Sequence, residues 1–339
     1  MRPGWRTLAA SLLALSIPFD IAAAGEADDL DIAMANSRAR ARAVTRVAAS
    51  TVLVRAFRGP GSEEGQIRYG TGFVVQADGG VLTCLHVVEG ADAVVVLFAD
   101  GTAAAARLEA RDEGADVALL RADWGARRPP VVVFADDSAL AVGESVLALG
   151  NPLGMGLSAS VGICTAKGRR GVVAGQPSGL LQTDTSTHPG CSGGPLFDQR
   201  GEVLGMVNAV LDPGAGSRSV AFAVPASELR RVLSDLMAGR EVRRAWLGIQ
   251  VRPLANAAPG LDIEAVVPHG PGEAAGARAG DRLITLGESA IVDLESLRNA
   301  LRGLRPGDLT TLRILRAGRM EQLDVRVGER QRAEPSTPQ

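Results

Sequence analysis

Alternating apolar and polar positions begin at Thr51 and recur in short runs as far as Val224. The runs 51–57, 68–76, 80–85, 93–98, 103–110 and 116–122 read as strands, because each is rich in Val, Leu or Ala and bounded by Gly, Asp or charged clusters. Arg127-Arg128-Pro129-Pro130 reads as a crossover, and a second set follows at 144–150, 158–166, 179–183, 195–198, 202–210 and 219–224. Two sets of six short strands without intervening helices predict a mostly β protein of two packed antiparallel barrels. Past Pro225 the period changes from 2 to 3.6. Leu229, Val232, Leu233 and Leu236 share one face of a helix over 226–237, closed by Gly239 and expected to pack on the second barrel. A smaller α+β unit starts at Trp246, with strands at 247–251, 262–267, 282–286, 311–315 and 322–327 and a helix at 294–304. The division expected is thus a lead-in at 25–42, the barrel pair at 43–238, a linker at 239–245, the small domain at 246–330 and a polar, disordered tail at 331–339.

Composition narrows the class. Hydrophobic residues make up 46% of the 339 positions but aromatics only 3%, so the cores must be built from Val, Leu and Ala. A net charge of -2 offers no general attraction to nucleic acid or to an anionic membrane. Arg2 and Arg6 precede an apolar stretch from Leu8 to Phe19, and Ala22-Ala23-Ala24 supplies small residues at cleavage spacing, so residues 1–24 read as a secretory signal and the body as periplasmic or secreted. The alternative is an uncleaved anchor in the inner membrane, against which Pro18 and Asp20 break the apolar run. Cys84, Cys164 and Cys191 allow at most one internal disulfide, which excludes a disulfide scaffold.

The candidate chemistry lies in three places. Gly190-Cys191-Ser192-Gly193-Gly194-Pro195-Leu196 places a serine on a glycine-flanked turn, where its hydroxyl can be exposed and adjacent N–H groups can face a developing oxyanion. A general base for it must be a histidine, with a pKa near working pH and two usable nitrogens. Of three histidines, His269 lies far downstream and His188 lies on the serine's own loop, which leaves His86 at the end of a strand. The orienting carboxylate should sit at the mouth of an apolar strand. Asp116 before Val117-Ala118-Leu119-Leu120 fits this, whereas Asp112 falls in the charged turn Arg111-Asp112-Glu113, where a solvated role is the default.

These segments resemble the trypsin-like fold and its HtrA/Deg branch. That branch shows Q-T-D followed by P-G-N-S-G-G-P-L, as in Gln182-Thr183-Asp184 and 189–196 here; L-T-x-x-H-V-V, as in 82–88; and D-I-A-V-L, as in 116–120. The chain order His, Asp, Ser is that of the chymotrypsin class. The resemblance implies a serine endopeptidase with Ser192 as nucleophile, His86 as base, Asp116 as its orienter, and the N–H groups of Gly190 and Ser192 as oxyanion hole. It also implies a substrate-pairing strand at 205–210 that includes Asn208 and Ala209, and a specificity pocket near Phe222, whose Ala221-Phe222-Ala223 resembles the branch's G-F-A segment. No Asp stands upstream of the serine at the pocket position, where His188 appears, so cleavage after small or medium aliphatic residues is expected rather than after Lys or Arg.

Trp246-Leu247-Gly248-Ile249 and Ala279-Gly280-Asp281 resemble protease-linked PDZ domains, which implies that Leu247, Gly248 and Ile249 receive a peptide C-terminus beside an edge strand. The implied partners are unfolded or regulatory polypeptides, with no nucleic acid and no cofactor or metal. A homotrimer is the implied assembly, with PDZ occupancy coupled to ordering of loops 168–178 and 189–191. Two departures stand out: the branch's Asn before the nucleophile is Cys191 here, and its Asn three residues earlier is His188. They keep open a proteolytically silent chaperone or adaptor that binds unfolded chains. A Cys84–Cys191 link is a further expectation, since each thiol lies within two residues of a triad member.

Overall fold

The computed structural model describes residues 23–59, 67–169, 179–211, 220–240, 242–254 and 259–329. The expected signal up to Ala22, loop residues 170–178 and the expected tail at 331–339 lie outside the described residues. The lead-in forms α1 (Ala23–Ala48). Only its end joins a core, where Ala43 and Val47 are buried with Leu147, Leu149 and Phe197.

The first barrel contains β1 (Thr51–Phe57), β2 (Ile67–Gln76), β3 (Gly80–Cys84), β4 (Ala93–Phe98), β5 (Ala103–Asp112) and β6 (Val117–Ala122), closed in the order β1-β2-β3-β6-β5-β4. A one-turn helix, α2 (Leu85–Val88), follows β3. The second barrel contains β7 (Ser145–Gly150), β8 (Ser158–Arg169), β9 (Leu180–Thr183), β10 (Pro195–Phe197), β11 (Val203–Leu211) and β12 (Val220–Pro225), closed as β10-β11-β12-β9-β8-β7. All these pairings are antiparallel, as the two sets of six runs predict. Val, Leu and Ala fill the interiors, and closure removes the sheet edges that such apolar strands would otherwise expose.

Helix α3 (Ala226–Met237) begins where Pro225 ends β12, and Asp137 takes hydrogen bonds from the Ser227 amide at 2.6 Å and hydroxyl at 2.9 Å. Its buried face is Leu229, Val232, Leu233 and Leu236. That face does not sit on the second barrel alone. It touches β5 and β6 as well as β11 and β12, and joins one apolar cluster that runs from the first barrel to Met206, Phe222 and Val224 of the second.

The small unit holds β13 (Ala245–Trp246), β14 (Ile249–Pro253), β15 (Leu261–Val266), α4 (Pro271–Ala274), β16 (Arg282–Leu286), β17 (Ser289–Ala290), α5 (Leu294–Arg302), β18 (Leu309–Arg316), β19 (Arg319–Arg326) and β20 (Gly328–Glu329). Its main sheet runs β14-β15-β16-β18-β19, so β14 is an edge strand, and α5 contacts it. β13 and β20 pair separately and close the unit on itself.

Departures from the sequence reading cluster at strand ends, where tertiary contacts outweigh alternation. β3 stops at Cys84, because Leu85-His86-Val87-Val88, read as a strand end, turns into α2. β6 starts at Val117, because Asp116 adopts a left-handed backbone with φ 54. β5 runs on to Asp112, which is 6% exposed rather than solvated, since Arg244 reaches it with two hydrogen bonds of 2.7 and 2.6 Å. β14 begins at Ile249 because Gly248 turns the chain at φ 67.

Asp281 anchors the small unit from within. It is 2% exposed, accepts two hydrogen bonds of 2.7 Å from Arg316 and one of 2.8 Å from the Arg278 amide. Burial pushes its carboxyl up, but the Arg316 fork and the amide outweigh this and hold it below the usual carboxylate range. A carboxyl depressed in the folded state adds stability above its unfolded pKa of about 4 and loses it as pH falls through the depressed value. Urea unfolding of Asp281→Asn is therefore expected to show a loss of about 2 kcal/mol at pH 7, shrinking below about pH 4. A pH-independent difference would contradict this linkage.

Candidate active site

The register of β3 on β6 assembles the first half of the site. Their last pair is Cys84 with Val117, so the chain leaves β3 through Leu85-His86 just where it enters β6 through Asp116. The Leu85 amide donates to the Asp116 carbonyl at 3.0 Å, and the His86 amide donates to Asp116 Oδ1 at 2.9 Å. His86 Nδ1 lies 2.5 Å from Asp116 Oδ2, and the Asn208 side-chain amide donates to the same oxygen at 2.7 Å. The carboxylate is thus buried but supplied with donors on both oxygens. The imidazole remains 42% exposed. An imidazole held in this way at Nδ1 keeps Nε2 for proton exchange with a neighbouring hydroxyl.

The second half comes from the turn between β9 and β10. Two glycines there are steric requirements. A Cβ on Gly190, at φ 99, would meet the Asn151 carbonyl oxygen at 2.1 Å, and one on Gly193, at φ 87, would meet the Thr71 carbonyl oxygen at 2.1 Å. The turn is closed by the Cys191 amide on the His188 carbonyl at 2.9 Å and the Gly193 amide on the Val207 carbonyl at 2.7 Å. The amides of Gly190 and Ser192 find no acceptor among the described residues. Ser192 Oγ donates to the Asn208 carbonyl at 3.3 Å, and among the described residues it makes no hydrogen bond to His86.

Thr71 stitches the two halves together. This buried residue of β2 takes the Ser192 carbonyl with its amide at 2.9 Å, donates its hydroxyl to the Gly190 carbonyl at 2.7 Å and accepts the Asn151 amide at 3.0 Å. Sequence reasoning missed it. The available signal was a hydroxyl between two glycines, Gly70-Thr71-Gly72, inside an otherwise apolar strand.

The other expected positions scatter. His188 is exposed and pairs with the Ser186 hydroxyl at 3.4 Å. Asn208 is 1% exposed and faces Asp116, Ala209 is 9% exposed and pairs with Phe222, and Phe222 is buried in the cluster between the barrels. In the small unit Leu247 is buried in the core, its carbonyl accepting the Gly272 amide at 2.7 Å, while Gly248 accepts the Val267 amide at 2.7 Å and Ile249 opens the edge strand.

The expected Cys84–Cys191 link is not formed. All three thiols are free and buried. Cys84 Sγ donates to the Val207 carbonyl at 3.3 Å in one core, whereas Cys191 packs in the core of the second barrel, where a Cβ on Gly150 would meet its sulfur at 2.6 Å. Burial raises the Cys84 pKa well above the ordinary thiol range, and the Asp116 charge adds to it. Burial likewise raises Cys191, so neither thiol is the ready thiolate that nucleophilic attack needs. Cys84, His86 and Asp116 place donor atoms within 4.8 Å of one another, but the protonated thiol and the fully engaged carboxylate suit an imidazole–carboxylate pair better than a metal ion.

Two domain families match the chain: the trypsin-like peptidase domain over residues 70–206 and the PDZ domain over 245–327. With these two domains in this order, the chain resembles proteases of the HtrA/Deg type. A probable periplasmic serine endoprotease, DegP-like, of Brucella suis biovar 1 is 35% identical over 277 residues, covering 79% of this chain and 54% of the relative. A DegP-like relative of Rhizobium meliloti is 35% identical over 283 residues, 80% of this chain and 56% of its own. The chain thus spans about half the length of the curated relatives it matches. Among solved structures, the HtrA-type protease AlgW with tripeptide has a TM-score of 0.76 at 28% identity, over 87% of this chain and 98% of AlgW. A serine endoprotease from Yersinia pestis has a TM-score of 0.65 at 27% identity, over 86% of this chain and 97% of that one.

Thiol titration checks the cysteine environments. In native protein at pH 7, Ellman's reagent is expected to react with none of the three thiols on the minute timescale, and with three in guanidinium without reductant. Fewer than three on unfolding would reveal a disulfide.

Proposed function

We propose that this chain is a serine endopeptidase of the cell envelope that cleaves unfolded or regulatory polypeptides through an acyl-enzyme. The observation that carries the reading is the His86–Asp116 pair at 2.5 Å on the first barrel, set beside the glycine-flanked Ser192 turn of the second. In the proposed reaction His86 takes the Ser192 proton as Oγ attacks the scissile carbonyl, and later gives it to the leaving amine. Asp116 fixes the imidazole tautomer and stabilises the imidazolium. The amides of Gly190 and Ser192 receive the oxyanion, where preorganised donors are worth several kcal/mol of barrier. In this reaction Ser192 Oγ leaves the Asn208 carbonyl, to which it donates at 3.3 Å, for the imidazole.

The PDZ unit is the second recognition site in this reading. Its free edge strand β14, entered through Leu247-Gly248-Ile249 and flanked by α5, suits addition of a peptide strand ending in a carboxylate. Relatives named periplasmic support the envelope location, and no described helix is long and apolar enough to cross a membrane. The trimer, the preference for small or medium aliphatic residues, and PDZ control of loops 168–178 and 189–191 belong to the same proposal.

Fluorophosphonate labelling followed by peptide mapping tests the site. Modification is expected at Ser192, with casein hydrolysis abolished in Ser192→Ala, lowered by about 10⁶ in kcat. Asp116→Asn is expected to lower kcat by about 10⁴ while leaving the fold intact. Casein protected from aggregation but not cleaved by wild type would favour the silent chaperone instead.

A further inference from the structure

The junction between the peptidase and PDZ units carries two adjacent arginines that face opposite ways. Arg243 pairs with Glu329 at the end of β20, on the PDZ side. Arg244, one residue before β13, turns the other way and enters the peptidase unit. Its guanidinium donates to both oxygens of Asp112, at 2.7 and 2.6 Å, and to Glu228 at 3.3 Å. Gly114 makes room for it, since a Cβ there would meet the guanidinium carbon at 2.7 Å. Burial works to lower the Arg244 pKa, but the Asp112 and Glu228 carboxylates outweigh it, so the group stays charged and paired.

What Arg244 grips is the base of the turn that presents Asp116. Asp112 Oδ2 also accepts the Ala115 amide at 2.9 Å, and the Asp116 amide donates to the Glu113 carbonyl at 3.2 Å. The turn ends with Asp116 in a left-handed backbone at φ 54, a conformation costly for any residue but glycine and held only where its surroundings over-determine it. The carboxylate points at His86 because that backbone is held. We propose that Arg244 is a positioning residue for the triad: through Asp112 it fixes the turn 112–116, and so couples the seat of the PDZ linker to the geometry of the His86–Asp116 pair.

This inference rests on the protease reading for its kinetic consequence but not for its structural one, and the test separates the two. In the full chain, the downfield imidazole proton of His86, assigned by its loss in His86→Ala, reports the bond to Asp116 without any turnover. Arg244→Gln is expected to shift or broaden that resonance. With a short chromogenic peptide, it is expected to lower kcat by about 10- to 100-fold with KM within about twofold, as for a misplaced rather than an absent group. Arg244→Lys keeps the charge but not the fork and should stay well below wild type. Asp112→Asn should match Arg244→Gln, and the double variant should lose little more than either, since the two act as one unit. Arg230→Gln, which removes another arginine that ties α3 to the barrel through the Ala135 carbonyl, serves as the comparison and should leave kcat and the resonance unchanged.

An unchanged His86 resonance in folded Arg244→Lys or Asp112→Asn would overturn the clamp, as would equal kcat losses in Arg230→Gln. Wild type that fails to label at Ser192 but loses the resonance in Arg244→Gln would count against the protease reading and leave the clamp standing.

Discussion

A carboxylate taken out of water must find donors or give up its charge, and Asp116 meets this demand with three. Two come from His86, its amide and its ring, and the third from Asn208. The cost of burying such an ion is several kcal/mol, so the position is tenable only while all three are in place. This requirement ties the first barrel to the second. His86 follows β3 and Asp116 precedes β6 in one barrel, while Asn208 comes from β11 of the other. The residue that completes the carboxylate's shell also receives Ser192 Oγ on its backbone carbonyl, so a single strand of the second barrel touches both Asp116 and Ser192.

The seam between the barrels is accordingly polar in the middle and apolar around it. Thr71 and Thr83 carry hydrogen bonds across or along it, and the continuous cluster of Val, Leu and Phe that includes α3 closes it from behind. A chain with 3% aromatics builds this from many small contacts rather than a few large rings. The end of the N-terminal helix packs on the second barrel, and α3 spreads its apolar face over both. The site lies at the seam and the strand ends, where hydrogen bonds from both barrels hold the left-handed backbone of Asp116.

The proposed site was legible in the sequence as far as it rests on residue type, because triad chemistry restricts those types severely. With three histidines, His86 could be found by elimination, and the glycine-flanked Ser192 announced a backbone no other residues permit. Asn208 was expected to bind substrate, yet its amide faces Asp116, because which side of a strand faces a carboxylate depends on the register of β11 and its bulge against β12. Asp112 was read as solvated because it falls in a charged turn, yet a partner for it, Arg244, stands in the linker far along the chain. Thr71 carried almost no signal, since a hydroxyl in a strand looks the same whether it points to solvent or to another barrel.

By itself, then, the order of residues determined the two sets of six strands, the amphipathic α3, the small C-terminal α+β unit, and the three side chains proposed for acyl transfer. Those follow from local periodicity, turn residues and side-chain type, which need no knowledge of distant neighbours. Only the tertiary structure decided that the cysteines stay apart, that Asp116 leaves its strand, that α3 spans both barrels, and that Arg244 enters the peptidase unit. Each of these is settled by which groups from remote segments meet in a site shielded from water, where an unmade hydrogen bond or an unpaired charge costs more than any local preference can return.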